Sequence, residues 1–245
     1  MSNANRYYEI ENKKYPSVTT ITSLLSKPQL YFWYGKHGTQ KCKELSAAAL
    51  KIGQELHDYI NQCLITRVNT PPKNMCQENF IKFDQKYRPQ VVMVEQVVHS
   101  ATAKFAGTLD AVLQIEKKNI LVDWKSSSAL YEDYALQVHA YTFALTEMVI
   151  SGILKLDATA RIDELWIVRL AKEKEIDFDN DILKLQFDSV TMAAFLGLLK
   201  VFQWKYKEEL NNERNHGTNN KPRRNHSQKM ASADGLCQRK TIQDS

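Results

Sequence analysis

The sequence predicts a mixed α/β fold in which a sheet is flanked by helices and preceded by a helical N-terminal layer. Three observations support this prediction. Apolar residues recur at helical spacing before residue 66, runs rich in β-branched residues follow Pro89, and helical spacing returns after residue 130. Segments of both kinds in one chain are typical of a sheet packed against helices.

The first two predicted helices are short. Ser17 is a suitable N-cap for a helix over residues 18–25, because its hydroxyl can accept a hydrogen bond from the first turn. Pro28 suits the first position of the second helix, which is expected to end near Gly35 or Gly38.

A long amphipathic helix is predicted over residues 46–65, and a further helix over 78–87 follows a loop that contains two prolines. The long helix repeats a set of positions at intervals of three or four, so these positions share one face. That face carries Leu50, Gly53, His57, Ile60 and Leu64.

The second half of the chain predicts a compact strand meander followed by alternating elements. A hairpin turn near Glu116 and Lys117 joins two of the strands. The predicted strands cover residues 91–98, 105–115, 119–124 and 162–170, and the predicted helices that complete the fold cover residues 131–148 and 187–210.

Composition excludes several classes of protein. The chain has 245 residues, of which 43% are hydrophobic and 25% charged, so collagen-like, coiled-coil and wholly disordered proteins are excluded. No apolar run reaches the roughly 18 residues that a membrane helix needs, since Lys200 interrupts the best candidate. Glu9 and Glu11 are unlike the acid-poor transit peptides of mitochondrial proteins. We expect a soluble intracellular protein in the cytoplasm of a bacterial or phage-infected cell.

Charge and composition predict three parts: a flexible N-terminus over residues 1–14, a folded domain over 15–210 and a basic tail over 211–245. The tail holds seven Lys or Arg against three acidic residues, and its many Asn, Gly, Ser and Gln residues predict disorder. A net charge of +4 suits contact with nucleic acid, and it equally suits a solvated tail with no partner.

The four cysteines do not form a metal-binding pattern. They stand at positions 42, 63, 76 and 237, and no two have the Cys-x-x-Cys spacing. Scattered cysteines of this kind are usually inert thiols, so neither a zinc site nor an iron–sulfur cluster is expected.

Acidic residues and a lysine are expected to meet where two of the strands end. Asp123 and Lys125 are two apart on a strand, so their side chains point to one face. The hairpin turn sets Asp110 opposite position 123 or 125, and Glu95 on the preceding strand can add a third carboxylate. Such oxygen ligands suit Mg²⁺, and a neighbouring lysine could polarise a water or offset charge in a transition state. A structural ion pair between Asp123 and Lys125 explains these two residues equally well.

Three further residues have both a functional and a structural interpretation. Gln137 and Tyr141 are spaced i, i+4 and therefore share one face of a helix, as either part of a site or an exposed Gln beside a core Tyr. His57 is either a metal ligand or a buried histidine of the long helix.

An aromatic-rich segment provides candidate contacts to nucleic acid. Tyr31 and Tyr34 could stack on unpaired bases while Lys36 contacts a phosphate. The alternative is that these aromatic residues pack the helical layer onto the sheet.

Taken in order, these positions resemble the motif series of the RecB-like branch of the PD-(D/E)xK nuclease superfamily. Within that branch the sequence is most similar to the mitochondrial genome maintenance exonucleases and their bacterial and phage relatives, over roughly residues 15–205. The resemblance rests on Tyr15-Pro16-Ser17-Val18-Thr19, Ile52-Gly53-Gln54-Glu55-Leu56-His57, Glu95, Gly107-x-x-Asp110, Val122-Asp123-Trp124-Lys125-Ser126 and Gln137-x-x-x-Tyr141.

The resemblance implies a restriction-endonuclease-like core and a role for each matched residue. His57, Asp110, Asp123 and the carbonyl of Trp124 would bind the metal. Lys125 would be the catalytic lysine, with Glu95 as a further catalytic acid. Gln137 and Tyr141 would support the site or contact DNA.

The implied activity is a Mg²⁺- or Mn²⁺-dependent DNA exonuclease that acts on single-stranded DNA or on DNA ends. Its implied setting is DNA replication, repair or recombination, with no membrane involvement and with protein partners unidentified. Two alternatives share the same core: a DNA-binding or assembly module without catalysis, and an endonuclease specific for a sequence or structure.

Overall fold

The computed structural model describes residues 6–154 and 161–211. Its strands form a two-stranded hairpin near the N-terminus and one five-stranded sheet. The strands are β1 (Tyr7–Ile10), β2 (Lys13–Pro16), β3 (Gln90–Ser100), β4 (Phe105–Ile115), β5 (Lys118–Lys125), β6 (Glu164–Arg169) and β7 (Ile182–Leu185).

The helices lie mainly before and after the strand meander, as the sequence predicts. The fifth helix follows the meander, as predicted, and lies between the two strands that pair in parallel. The helices are α1 (Val18–Thr22), α2 (Pro28–His37), α3 (Thr39–Thr66), α4 (Met75–Tyr87), α5 (Asp133–Ile150), α6 (Ser189–Lys205) and α7 (Lys207–Asn211).

The five-stranded sheet is mixed. Its strands follow the order β3-β4-β5-β6-β7, and all neighbours are antiparallel except β5 and β6. The turn between β4 and β5 is built from Glu116 and Lys117, both with positive φ, which is the backbone that suits a tight hairpin. This turn pairs Ala111 with Val122. One residue further along, Asp110 therefore faces Asp123.

Helices cover both faces of this sheet. On β5, Leu121 packs into the core beneath α1, α5 and α6, whereas Val122 and Trp124 pack into the core beneath α3 and α4. Successive residues of a strand point to opposite faces, so Asp123 and Lys125 lie on the α5 side. The arrangement confirms the predicted mixed α/β fold with helices on both sides of the sheet, and it is consistent with a restriction-endonuclease-like core.

Most predicted elements are present with shifted ends. Ser17 caps α1 as predicted, since its Oγ accepts a hydrogen bond from the Thr20 N–H at 3.0 Å. The long helix α3 begins at Thr39, earlier than the predicted residue 46. Leu50, which the sequence placed on its buried face, is exposed, because α3 contacts the sheet only along its second half.

The folded part of the chain begins earlier than predicted. Residues 1–14 were expected to be flexible, but β1 and β2 pair from Tyr7 onward. The Ser17 amide donates to the Arg6 carbonyl at 2.9 Å and ties the hairpin to α1. The predicted basic tail lies outside the described residues except for Asn211, which ends α7.

Among the described residues, no helix combines the length and the apolar character needed to cross a membrane. Three of the cysteines, Cys42, Cys63 and Cys76, are free thiols in the interior. Cys237 lies outside the described residues.

A buried ion pair lies beside the edge strand β7, a strand that the sequence did not predict. Asp181 is 1% exposed and accepts hydrogen bonds from the Nε and Nη2 atoms of Arg169 and from the Asp177 amide. Burial raises the pKa of the Asp181 carboxyl. The hydrogen bonds from Asp177 and Arg169 outweigh this effect, so the pKa lies below its ordinary value.

Asp181→Asn should lower the free energy of unfolding by about 3 kcal/mol, because it leaves the buried Arg169 without its counter-charge. The folded-state pKa of Asp181 is depressed, so the stabilisation is present above the unfolded pKa of about 4 and is lost as the pH falls through the folded value. Urea unfolding at several pH values measures this. Asp179→Asn, in the exposed turn nearby, is the control and should change little. Equal stability of the two variants at pH 7 would contradict the argument.

Candidate active site

The candidate site begins where β4 and β5 pair. One carboxylate oxygen of Asp110 accepts a hydrogen bond from the backbone N–H of Trp124 at 2.8 Å. The other lies 3.4 Å from Nδ1 of His57 on α3. These contacts hold both oxygens of Asp110 in place, and the contact with Trp124 agrees with the predicted hairpin register.

A second carboxylate joins this pair from β3. Potential ligand atoms of His57, Glu95 and Asp110 all lie within 4.8 Å of one another. Among the described residues, this is the group of His, Cys, Asp or Glu side chains that could hold a metal ion. The three side chains come from three separate elements. Their donor set of one imidazole and two carboxylates suits a divalent cation such as Mg²⁺ or Mn²⁺.

Glu95 reaches the site through an unusual backbone conformation. Its φ is +49°, in the left-handed region that costs a non-glycine residue about 1 kcal/mol or more. The paired residues on either side, Val94 with Ala111 and Gln96 with Leu109, place Glu95 opposite Asp110. The local distortion of β3 therefore coincides with the point where its carboxylate meets the others.

Lys125 is held by partners on three sides. Its Nζ forms an ion pair with Asp123 at 2.7 Å and donates a hydrogen bond to Oε1 of Gln137 at 3.0 Å. The same atom lies 4.6 Å from the centre of the Tyr134 ring, within cation–π range. Lys125 is thus a largely buried ammonium group with a defined position.

Helix α5 supplies the inner wall of the site. Gln137 is 6% exposed, so the interpretation of it as an exposed residue was wrong. Its amide accepts from Lys125, while its Nε2 lies 3.4 Å from the hydroxyl of Thr22 on α1. Tyr141, one turn further along, is also buried and packs directly over Gly107.

The two neighbouring aspartates have opposite pKa shifts. Burial raises the pKa of Asp123 to about 6, and the nearby Asp110 adds to this, although Lys125 opposes it. Burial also acts on Asp110, but the adjacent His57 and the Trp124 N–H outweigh it, and the pKa of Asp110 is lowered. Asp110 therefore loses its proton at a lower pH than Asp123.

The basic groups are shifted by the same carboxylates. Burial lowers the pKa of His57, but Asp110 outweighs it and raises the value to about 9. Burial likewise opposes the charge on Lys125, whose pKa is nevertheless raised by Asp123 and Asp110. A metal ion bound to His57 would need the neutral imidazole, so metal binding is expected to release a proton.

The structure brings the predicted catalytic residues into one cluster. His57, Glu95 and Asp110 form a group that could hold a metal ion, whereas Asp123 is paired with Lys125. The role of Asp123 as a metal ligand stays a prediction. The Trp124 side chain points into the opposite core against Phe83, so only its backbone belongs to the site. A role for its carbonyl as a metal ligand stays a prediction.

Two contributing residues were not singled out from the sequence. Tyr134 precedes Gln137 by one helical turn, which is a signal that the i, i+3 spacing could have given. Thr22 comes from α1, 115 residues away in the chain, and no local pattern connects it to Gln137.

The aromatic segment does not pack onto the sheet. Helix α2 has no buried residue, so the alternative that Tyr31 and Tyr34 belong to the core was wrong. Both tyrosines line a groove that reaches Gln137. Lys36 is exposed in the last turn of α2, and its contact with phosphate stays a prediction.

Comparison with known proteins gives limited similarity. No protein-family model matches the sequence, and no curated protein matches it. Among solved structures, the chain is similar to an alkaline exonuclease from Laribacter hongkongensis, with 11% identity over 62% of this chain and 80% of the other and a TM-score of 0.34. A second structure, the same exonuclease in complex with dAMP, matches with 12% identity, the same coverage and a TM-score of 0.35. Similarity at this level does not establish a shared activity.

Gly107→Ala should displace Tyr141 and lower stability, since a Cβ at position 107 would lie 2.5 Å from the Tyr141 ring. A strand backbone and a buried ring leave little room for relief, so a loss of about 1–3 kcal/mol is expected in thermal or urea unfolding. Gly197→Ala is the matched control, because nothing lies within 4 Å of its added methyl group and the residue is in helix α6. That variant should be neutral or slightly stabilising. Equal effects of the two substitutions would show that the ring does not rest on Gly107.

Proposed function

We propose that the protein is a metal-dependent nuclease of the PD-(D/E)xK superfamily that hydrolyses phosphodiester bonds in DNA. The observation that carries this proposal is the cluster itself. A three-residue ligand group from α3, β3 and β4 lies directly beside the buried Lys125–Asp123 pair. Residues that serve only to stabilise a fold seldom bring an imidazole, three carboxylates and an ammonium group together at one point of a sheet.

The ligand group is where the proposed cation would bind. Its carboxylate and imidazole groups can bind either Mg²⁺ or Mn²⁺. A divalent cation at such a site supplies stabilisation of negative charge on the oxygens of an in-line phosphodiester displacement. His57, Glu95 and Asp110 would hold it, with Asp123 as the further ligand that the resemblance implies. Asp123 lies close enough to His57 to raise its pKa.

Lys125 is the proposed catalytic residue. In hydrolysis, a water oxygen forms a bond to phosphorus while the bond from phosphorus to the leaving sugar oxygen breaks, and that oxygen ends with a proton. The Lys125 ammonium can orient the attacking water and offset charge on the phosphoryl oxygens. Gln137 and Asp123 hold its Nζ in position, so little rearrangement is needed during the reaction.

The finer activity we propose is exonucleolytic, on single-stranded DNA or DNA ends, in replication, repair or recombination. The motif series in the sequence supports this choice over a sequence- or structure-specific endonuclease. It is tested by comparing linear DNA with closed circles, because an exonuclease requires an end. A DNA-binding module without hydrolysis is the remaining alternative, and it would bind both substrates and cleave neither.

Asp110→Asn should reduce DNA cleavage at least 100-fold, because it removes a formal charge from the ligand group. Cleavage of end-labelled DNA with Mg²⁺ or Mn²⁺ measures the activity, and calorimetric titration with Mn²⁺ should show weakened metal binding. His57→Ala should weaken metal binding in the same titration. Unchanged cleavage by folded Asp110→Asn protein would remove the basis for the proposed metal site.

Lys125→Ala should lose cleavage at least 100-fold and keep Mn²⁺ binding, since an interaction needed mainly in the transition state lowers turnover and not ground-state binding. The matched control is Lys118→Ala on the same strand, which removes an exposed lysine paired with Glu164 and should retain activity. If Lys125→Ala protein cleaves DNA at the wild-type rate, Lys125 and Asp123 are only a structural ion pair.

Deleting residues 211–245 should weaken DNA binding at low salt, because seven Lys and Arg residues are removed. Binding of full-length and shortened protein is measured across a salt series, where the shortened protein should show a shallower slope. A full-length variant with those seven residues changed to Gln separates charge from length. The cleavage rate at saturating DNA should barely change, and a collapse of that rate would place the tail in the catalytic machinery.

A further inference from the structure

A groove of about 690 Å³ runs between the α1–α2 segment and the first turns of α5. We call it the tyrosine groove. Residues with ionic, hydroxyl and aromatic side chains line it together. They include Lys27, Tyr31, Tyr34, Asp133, Tyr134 and Gln137.

The tyrosine groove borders the candidate active site through two shared side chains. Gln137 lines the groove and accepts the hydrogen bond from Lys125 Nζ at 3.0 Å. Tyr134 also lines it, and its ring centre is 4.6 Å from the same Nζ. The inner end of the groove is therefore one side chain away from Lys125.

The outer wall of the groove presents aromatic rings to solvent. Tyr31 is 73% exposed and Tyr34 is 41% exposed, although large apolar surfaces are usually covered. The ring of Trp33 packs on Tyr34 and on His37, with centroid distances of 5.3 and 6.1 Å. Both contacts lie within α2, the helix that carries the two exposed tyrosines.

Lys27 adds a positive charge beside these rings. Its Nζ forms an ion pair with Asp133 at 2.8 Å, and 42% of its side chain is exposed. An ammonium group donates up to three hydrogen bonds, so Lys27 can contact a phosphate while it keeps Asp133 as a partner. Aromatic rings beside a lysine are the combination with which proteins bind single-stranded nucleic acid.

We propose that the tyrosine groove binds unpaired nucleotides of a DNA strand whose neighbouring phosphate lies at Lys125. The inference rests on the proposed nuclease function. In a duplex, the faces of each base are covered by its neighbours, and stacking on Tyr31 and Tyr34 requires a free face. The groove is within the size range of sites for small ligands, so it accommodates one or two nucleotides and not both strands of a helix.

The test measures binding separately from cleavage. Full-length protein is titrated, without divalent metal, into a fluorescent oligodeoxythymidine of about ten nucleotides, and anisotropy gives Kd. Tyr31→Ala and Tyr34→Ala should each raise Kd roughly 5- to 100-fold, the range that loss of one stacked base implies. Tyr31→Phe keeps the ring and should bind like the wild type.

Phe32→Ala is the matched control. Phe32 lies on the same helix and is 80% exposed, but it does not line the groove, so its removal should leave Kd unchanged. Wild-type Kd for Tyr31→Ala and Tyr34→Ala would overturn the inference, as would an equal loss in Phe32→Ala. Equally tight binding of a blunt hairpin duplex would overturn the requirement for unpaired bases. Competition by dTMP at concentrations comparable to the oligonucleotide would instead mark a mononucleotide site and also overturn it.

The two proposals fail in distinguishable ways. If the wild type cleaves DNA with Mg²⁺ or Mn²⁺ but the tyrosine variants bind normally, the groove assignment is wrong and the nuclease proposal stands. If the wild type cleaves no DNA but shows the binding pattern above, the nuclease proposal is wrong and the groove assignment stands. Circular dichroism on each variant confirms that the exposed substitutions leave the fold intact.

Discussion

Lys125 places an ammonium group where little water can reach it, and the surrounding residues are arranged to tolerate that charge. Removing one partner from a buried ion pair typically costs about 3–5 kcal/mol, so the lysine and Asp123 depend on one another. The hydrogen bond to Gln137 and the ring of Tyr134 provide further compensation. The orientation of α5 relative to β5 is therefore part of the electrostatics of the site as well as of the packing.

The two aspartates differ in the groups that offset their burial. Asp123 has Lys125 as its nearest partner and an elevated pKa, whereas Asp110 is bound by His57 and the Trp124 amide and has a lowered pKa. Two ionised carboxylates this close together repel each other, so each needs a compensating partner. Asp123 is paired with Lys125, whereas Asp110 lies with Glu95 and His57 in the group that could hold a cation.

The exposed helix α2 lies close to the buried residues that contact Lys125. Helix α2 buries none of its residues, yet its tyrosines border a groove that ends at Gln137 and Tyr134. The residues that fix Lys125 from within are thus also the inner end of a surface groove. The exposed aromatic rings therefore lie beside the candidate active site, a position that composition alone does not predict.

Local rules predicted much of the fold and part of the site. The turn at Glu116 and Lys117 brings Asp110 opposite Asp123, and strand alternation places Asp123 and Lys125 on one face, because both effects act over a few residues. Helical spacing likewise put Gln137 and Tyr141 on one face of α5. The short edge strand β7 was missed, since four residues carry too little periodic signal and depend on pairing with β6.

What tertiary structure decided is which of these faces meet. The sequence determined the helices, the strand meander and the candidate acids, all of which follow from spacing and turn chemistry. Only packing placed His57 of α3 beside Asp110 and Glu95, because this contact joins elements far apart in the chain. Packing also left α2 exposed, since the burial of an aromatic residue depends on what covers it and not on its own sequence neighbours.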